Sequence, residues 1–142
     1  MLRGWLLPGL FTTAGLLGAA GLFADGSTVG AVLVLPAFVA FAVVNSSLVF
    51  PPSLGAEEAR RRSATDGRPV VYWRPGCRYC RRLRFTLGRD ARRAHWVDIW
   101  RDPAAAAAVR AVADGNETVP TVVLADGRAQ VNPDPEWVRG RL

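Results

Sequence analysis

The pattern of apolar and polar positions changes character once along the chain, near Pro51. From Gly4 to Ala24 no residue is charged, none is from Gly26 to Ser53, and Asp25 alone interrupts the run. A helix needs about twenty apolar residues to cross the hydrocarbon core of a bilayer, and the stretches 5–24 and 28–50 both reach that length. Asp25-Gly26-Ser27 reads as the turn between them. Pro51-Pro52 reads as the stop, because proline lacks the helical amide and restrains the residue before it. Residues 1–52 are therefore expected to form a two-helix transmembrane hairpin. Gly15, Gly18 and Gly21, with Ala14 and Ala19, are spaced for close approach of a second helix. The shortness of the turn favours packing within the hairpin over an oligomer contact. Neither span contains an ionisable residue, so no ion or proton relay is expected.

Past Pro52 the pattern is that of a small mixed domain. Residues 53–67 are polar and read as a juxtamembrane linker, with Glu57 and Arg61 spaced to pair if the segment turns helical. Arg68–Trp73 reads as a buried strand, and Pro75-Gly76 breaks into a helix over Cys77–Gly88, with Leu83 and Leu87 on one face. His95–Trp100 alternates as a second strand. Asp102 is a cap and Pro103 a first position for a helix over Ala104–Ala113. Thr118–Leu124 and Arg128–Val131 read as strands joined by Asp126-Gly127, and Pro135–Arg141 as a closing helix. The domain at 68–142 thus has the order β-α-β-α-β-β-α.

Charge sharpens the division. The chain carries 18 basic and 12 acidic residues, for a net charge of +6. Only Arg3 and Asp25 precede Pro51, so the C-terminal part holds the whole excess. All the basic residues are Arg, which together with the Ala, Gly and Val content points to a GC-rich bacterial genome. Arg3 flanks the first span, the turn has no basic residue, and Arg60, Arg61 and Arg62 follow the second. The positive-inside rule then predicts a two-pass cell-membrane protein with its C-terminal domain in the cytoplasm. Reading the first run as a cleaved signal peptide leaves that domain inside as well. The basic charge brings no zinc-finger spacing, stacking motif or long basic helix with it, so nucleic acid is not expected as a partner.

The chemistry is concentrated at Cys77-Arg78-Tyr79-Cys80. Two cysteines this close form a redox pair or half of a metal site. Zinc would need two further ligands, and besides carboxylates only His95 is on offer, so no metal is expected. Cys77 falls where a helix begins, and the unpaired amides and dipole there favour a thiolate. Arg74, Arg78, Arg81 and Arg82 add positive potential. Cys80, one turn further in, is the expected resolving thiol.

The stretch Trp73-Arg74-Pro75-Gly76-Cys77-Arg78-Tyr79-Cys80 resembles the active site of the glutaredoxin family, and the order of elements is that of the thioredoxin fold. Gly115-Asn116-Glu117-Thr118-Val119-Pro120-Thr121-Val122 and Asn132-Pro133 are similar to segments of the actinobacterial mycoredoxins. The likeness covers residues 68–142. It implies a cis Pro120 facing the cysteines, with Val119 and Thr118 shaping a substrate groove beside Arg74, Arg78 and Tyr79. It implies reduction of protein disulfides, or of mixed disulfides with a low-molecular-weight thiol, without a tightly bound cofactor. That thiol is mycothiol or glutathione. A donor fed by thioredoxin reductase and a tethered iron–sulfur carrier share the same motifs. His95 is expected to be a solvated or capped residue and Asp98 a structural carboxylate. Trp73, Trp96 and Trp100 are expected to pack around the sheet.

Overall fold

The computed structural model describes residues 3–142, with the side chains at 3–5 and 7 left outside that description. Arg3 and Trp5, on which the expected orientation and the start of the first span rest, are among the latter. The chain divides into two compact units, Met1–Val49 and Phe50–Leu142.

In the first unit, α1 (Arg3–Ala24) and α2 (Thr28–Val44) run as a helical hairpin. Glycine decides how closely they meet: a Cβ added at Gly15 would lie 2.6 Å from Phe38 Cβ. Phe11 and Phe41 meet edge to face at 4.7 Å between centroids. Leu10, Leu17, Phe23, Val32 and Leu33 remain exposed on the hairpin.

The transmembrane part of the expected fold, and with it the two-pass location, is overturned: among the described residues no helix is long and apolar enough to cross a membrane. The apolar run to Phe50 does not stay helical. The α2 helix ends at Val44 after 17 residues, about 25 Å at 1.5 Å per residue, short of a core of about 30 Å. Asn45 folds its side chain back onto the Phe41 carbonyl, and Ser47–Val49 continue as a 3-10 turn.

The second unit is a mixed α/β fold. Its elements are α3 (Ala56–Asp66), β1 (Val70–Trp73), α4 (Arg78–Leu87), β2 (His95–Asp98), α5 (Pro103–Val112), β3 (Thr121–Val123), β4 (Ala129–Val131) and α6 (Pro135–Arg139). The four strands form one sheet in the order β2-β1-β3-β4. β1 runs parallel to β2, with Val71 beside Trp96, and antiparallel to β3, with Val71 beside Val122. The β3–β4 pair is antiparallel. All residues of β1 and β2 are buried, the signature of strands covered on both faces.

The segment at 53–67 is part of this fold. Ser53 and Leu54 run along the outer edge of β2: the Leu54 amide donates to the Trp96 carbonyl at 2.9 Å, and the Asp98 amide donates to Ser53 Oγ at 2.8 Å. The sheet edge is thereby occupied. α3 then buries Ala56 and Ala59 completely. Within the helix, ion pairs join Glu58 to Arg61 and Arg62, in place of the expected Glu57–Arg61 pair. Asp102 holds two helix starts at once, accepting from the Ala56 amide at 2.6 Å and the Ala104 amide at 2.9 Å. Phe50 stacks on Trp73, with centroids 3.8 Å apart and planes 14° from parallel.

Candidate active site

The site forms where β1 ends and α4 begins. Gly76 has φ +76°, which few residues other than glycine adopt cheaply, and the turn it makes delivers Cys77 as the cap of α4. The Cys80 amide donates to Cys77 Sγ at 3.2 Å. A protonated Cys77 thiol points at the Val119 carbonyl, 3.4 Å away. The Val119–Pro120 peptide is cis.

The two thiols stand in contrasting environments. Cys77 is half-buried and Cys80 fully buried. Hydrogen bonding from the Cys80 thiol is the largest influence on Cys77; partial burial opposes it, and the Cys80 and Tyr79 amides and the charge of Arg74 reinforce it. Together they lower the Cys77 pKa to about 6, so the thiolate predominates at neutral pH. Burial pushes Cys80 the other way, and its bond to Cys77 and the neighbouring negative charge add to the rise. One sulfur is thus a ready nucleophile and the other stays protonated.

A cleft of about 630 Å³ opens over Cys77. Of the residues expected to bind substrate, Arg74, Arg78, Tyr79, Thr118 and Val119 line it together with Cys77. Pro120 is buried and does not contribute to the wall, and Cys80 lies beneath. Gly76, Asn116, Glu117 and Asn132 also line it. Asn116 and Glu117 directly precede Thr118 and belong to the segment that resembles mycoredoxins, though neither is among the residues expected to bind substrate. Asn132 is brought in by the fold: its amide donates to the Pro120 carbonyl at 2.7 Å, and its φ is +47°.

The aromatic residues at the rim hold the arginines. Arg74 lies over the Trp100 ring at 5.7 Å and Arg78 over Tyr79 at 4.6 Å. Arg78 also donates to the Tyr79 hydroxyl at 2.7 Å. Glu117 is tied to Arg110 at 2.5 Å. Trp73 and Trp96 are core residues, whereas Trp100 is partly exposed.

Two further expectations can be placed. His95 is buried rather than solvated, and its ring is capped: its Nε2 lies 3.0 Å from the Asp66 carboxylate at the end of α3. Asp98 pairs in register with Trp73. Burial raises its carboxyl pKa, and the Trp100 amide bonds its Oδ1 at 3.0 Å.

Comparison with known proteins gives three consistent likenesses. The family model described as Glutaredoxin matches residues 70–129. A Mycobacterium tuberculosis protein named "Putative glutaredoxin" is 40% identical over 73 residues, covering 51% of this chain and 87% of that protein. Mycoredoxin 1 of Corynebacterium glutamicum is 38% identical over 64 residues, covering 45% of this chain and 78% of its own length.

Proposed function

Because the chain belongs to the glutaredoxin family and is a glutaredoxin-type thiol–disulfide oxidoreductase, we propose that it reduces mixed disulfides between proteins and a low-molecular-weight thiol through Cys77. The observation that carries this reading is the pairing of a half-exposed sulfur of pKa about 6 with a buried, protonated one a single turn away.

The Cys77 thiolate attacks the small-thiol sulfur of the mixed disulfide. That S–S bond breaks, and the client sulfur leaves as a thiolate that takes a proton from water. Cys77 is now disulfide-bonded to the small thiol. A second small thiol, as its thiolate, attacks the sulfur of the first and releases the Cys77 thiolate and an oxidised small-thiol dimer. Cys80 offers a second exit. On losing its proton it attacks Cys77, frees the small thiol and leaves a Cys77–Cys80 disulfide for an external thiol to reduce. Two electrons reach the mixed disulfide in either case, from the small thiol by the first route and from the external thiol by the second.

In this cycle Arg74, Arg78, Tyr79, Thr118 and Val119 hold the small thiol and the client backbone over Cys77, with Pro120 setting the Val119 carbonyl beside the sulfur. Mycothiol is the proposed small thiol. The reading rests on the similarity of the Thr118-Val119-Pro120 and Asn132-Pro133 segments to mycoredoxins. Glutathione is the alternative with the same chemistry.

The test is turnover of a small mixed disulfide by the full chain supplied in turn with mycothiol, glutathione or a thioredoxin reductase system. The expected result is turnover with mycothiol that disappears in Cys77→Ser and largely survives Cys80→Ser. Turnover through thioredoxin reductase alone would place the protein among dithiol electron donors instead.

A further inference from the structure

The net charge of the second unit is confined to one short stretch. Between residues 78 and 93 the chain has seven arginines and one acid, Asp90. The other ten arginines from Phe50 onward are matched by ten acids. Residues 78–93 therefore carry the entire +6 of the protein. This stretch is α4 and the 3-10 turn that follows it, Gly88–Arg93.

The imbalance is local in space as well. Among the described residues the ion pairs of this unit employ Arg61, Arg62, Arg68, Arg110, Arg128 and Arg139, along with His95. Arg82, Arg89, Arg92 and Arg93 take part in none, and all four are exposed. Like charges crowd each other here: burial first, and the charge of Arg92 second, lower the Arg84 pKa. An exposed aromatic residue, Phe85 at 54% exposure, lies between Arg82 and Arg89 along the chain. Such a surface attracts anions, and the attraction falls with salt.

Its position relative to the sulfur determines what the anion does. α4 starts at Cys77. A second cleft of about 210 Å³, with Arg82 and Leu83 in its wall, shares Tyr79 and Asn132 with the Cys77 cleft. Asp134 lines it too, but its carboxylate is turned to the Glu136 amide at 2.8 Å. A client chain lying across Cys77 and over Tyr79 reaches Arg82 next, and α4 leads along the chain into the Gly88–Arg93 turn that carries Arg89, Arg92 and Arg93.

We propose that the α4 arginine surface selects protein clients whose mixed-disulfide cysteine is flanked by acidic residues. The proposal rests on Cys77 as the attacking sulfur and adds a class of client to it. The surface acts mainly on encounter, so its effect belongs in kcat/KM and in salt dependence.

The test uses the full chain and three small-thiol mixed-disulfide peptides that differ only in having Glu, Gln or Arg around the cysteine. The Glu peptide is expected to show kcat/KM about tenfold above the Gln peptide at low salt, with the gap closing as salt rises. In the triple variant Arg89→Gln, Arg92→Gln, Arg93→Gln the preference is largely lost, while an uncharged small mixed disulfide is reduced at the parental rate. Equal kcat/KM for the three peptides, or an equal loss on the uncharged disulfide, would overturn the proposal. Affinity of the same three peptides with Ser in place of Cys, read by fluorescence anisotropy, tests the surface even if Cys77 proved inactive. A further arm measures binding to phosphatidylglycerol vesicles. Arginine-dependent vesicle binding without discrimination among the peptides would overturn the client reading and assign the surface to an anionic lipid headgroup.

Discussion

At the scale of single residues the two sulfurs make opposite statements about pH. Cys77 titrates near 6 in the folded chain, whereas an ordinary thiol does so at about 8.5. Alkylation of reduced protein by iodoacetamide is therefore expected to rise with pH with a midpoint near 6, and peptide mapping should find the label on Cys77 alone. Arg74→Ala should move the midpoint upward. A midpoint in the ordinary thiol range would refute the low pKa. Stability follows by linkage. Between about 6 and 8.5 the unfolded chain holds a proton at Cys77 that the folded chain has lost, so stability rises with pH. Above that window the unfolded chain loses the Cys80 proton, which the folded chain keeps, and stability falls. From these two groups the reduced protein is expected to be most stable near pH 8.5. Urea unfolding of Cys77→Ser under reducing conditions should keep the fall and lack the rise.

At the scale of elements, what the sequence reveals depends on how far away an element's partners lie. From Val70 onward each helix and strand is announced by its own residues: Asp102 before Pro103, Gly127 in the hairpin turn, Leu83 and Leu87 a turn apart. Terminal residues differ by at most three, as fraying ends do. The site is similar, because Cys77 and Cys80 sit together on one helix. Asn132 is less legible as a wall residue, since the sheet brings it to the cleft from a distant position, its amide bonded to the Pro120 carbonyl. α3 is the clearest miss. Its Arg60-Arg61-Arg62 run gives it the look of a solvated linker, and its buried positions are only Ala56, Ala59 and Ser63, small residues that carry little hydropathy signal. Nothing local shows that Asp102 anchors it from 46 positions away. That anchor can be tested. Asp102→Ala leaves two helix starts uncapped and should cost about 1 to 3 kcal/mol in urea unfolding at neutral pH. The Ala56 amide is the main influence holding the Asp102 pKa below the usual carboxylate value. Its stabilisation is therefore present above that usual value and is lost as pH falls through the lowered one. Parent and variant are expected to converge in acid; a constant gap would mean that packing, not the carboxylate, carries the effect.

At the scale of the whole molecule, the question is how much of the chain the chemistry requires. Every residue lining the Cys77 cleft lies between Arg74 and Asn132, and the family match begins at Val70. A sequence comparison would therefore justify a cut just before β1. The packing argues for a cut earlier in the chain. Phe50 stacks on Trp73 and lies 5.7 Å from the Trp96 ring, and both indoles are almost fully buried. Ser53 and Leu54 close the β2 edge, and α3 covers Ala56 and Ala59. Removing a large aromatic side chain from a core costs about 3–5 kcal/mol, and a domain has only about 5–15 kcal/mol to lose. Residues 50–142 are thus expected to unfold in a single cooperative urea transition and to reduce a small mixed disulfide at a kcat/KM within about twofold of the full chain. Residues 68–142 keep both cysteines and the whole cleft sequence, yet are expected to lose the transition and most of the turnover. Since the added segment contributes no atom to the cleft, equal activity of the two fragments would make α3 and Phe50 passengers. Loss confined to the shorter one would show that they hold the sheet from which Cys77 is presented.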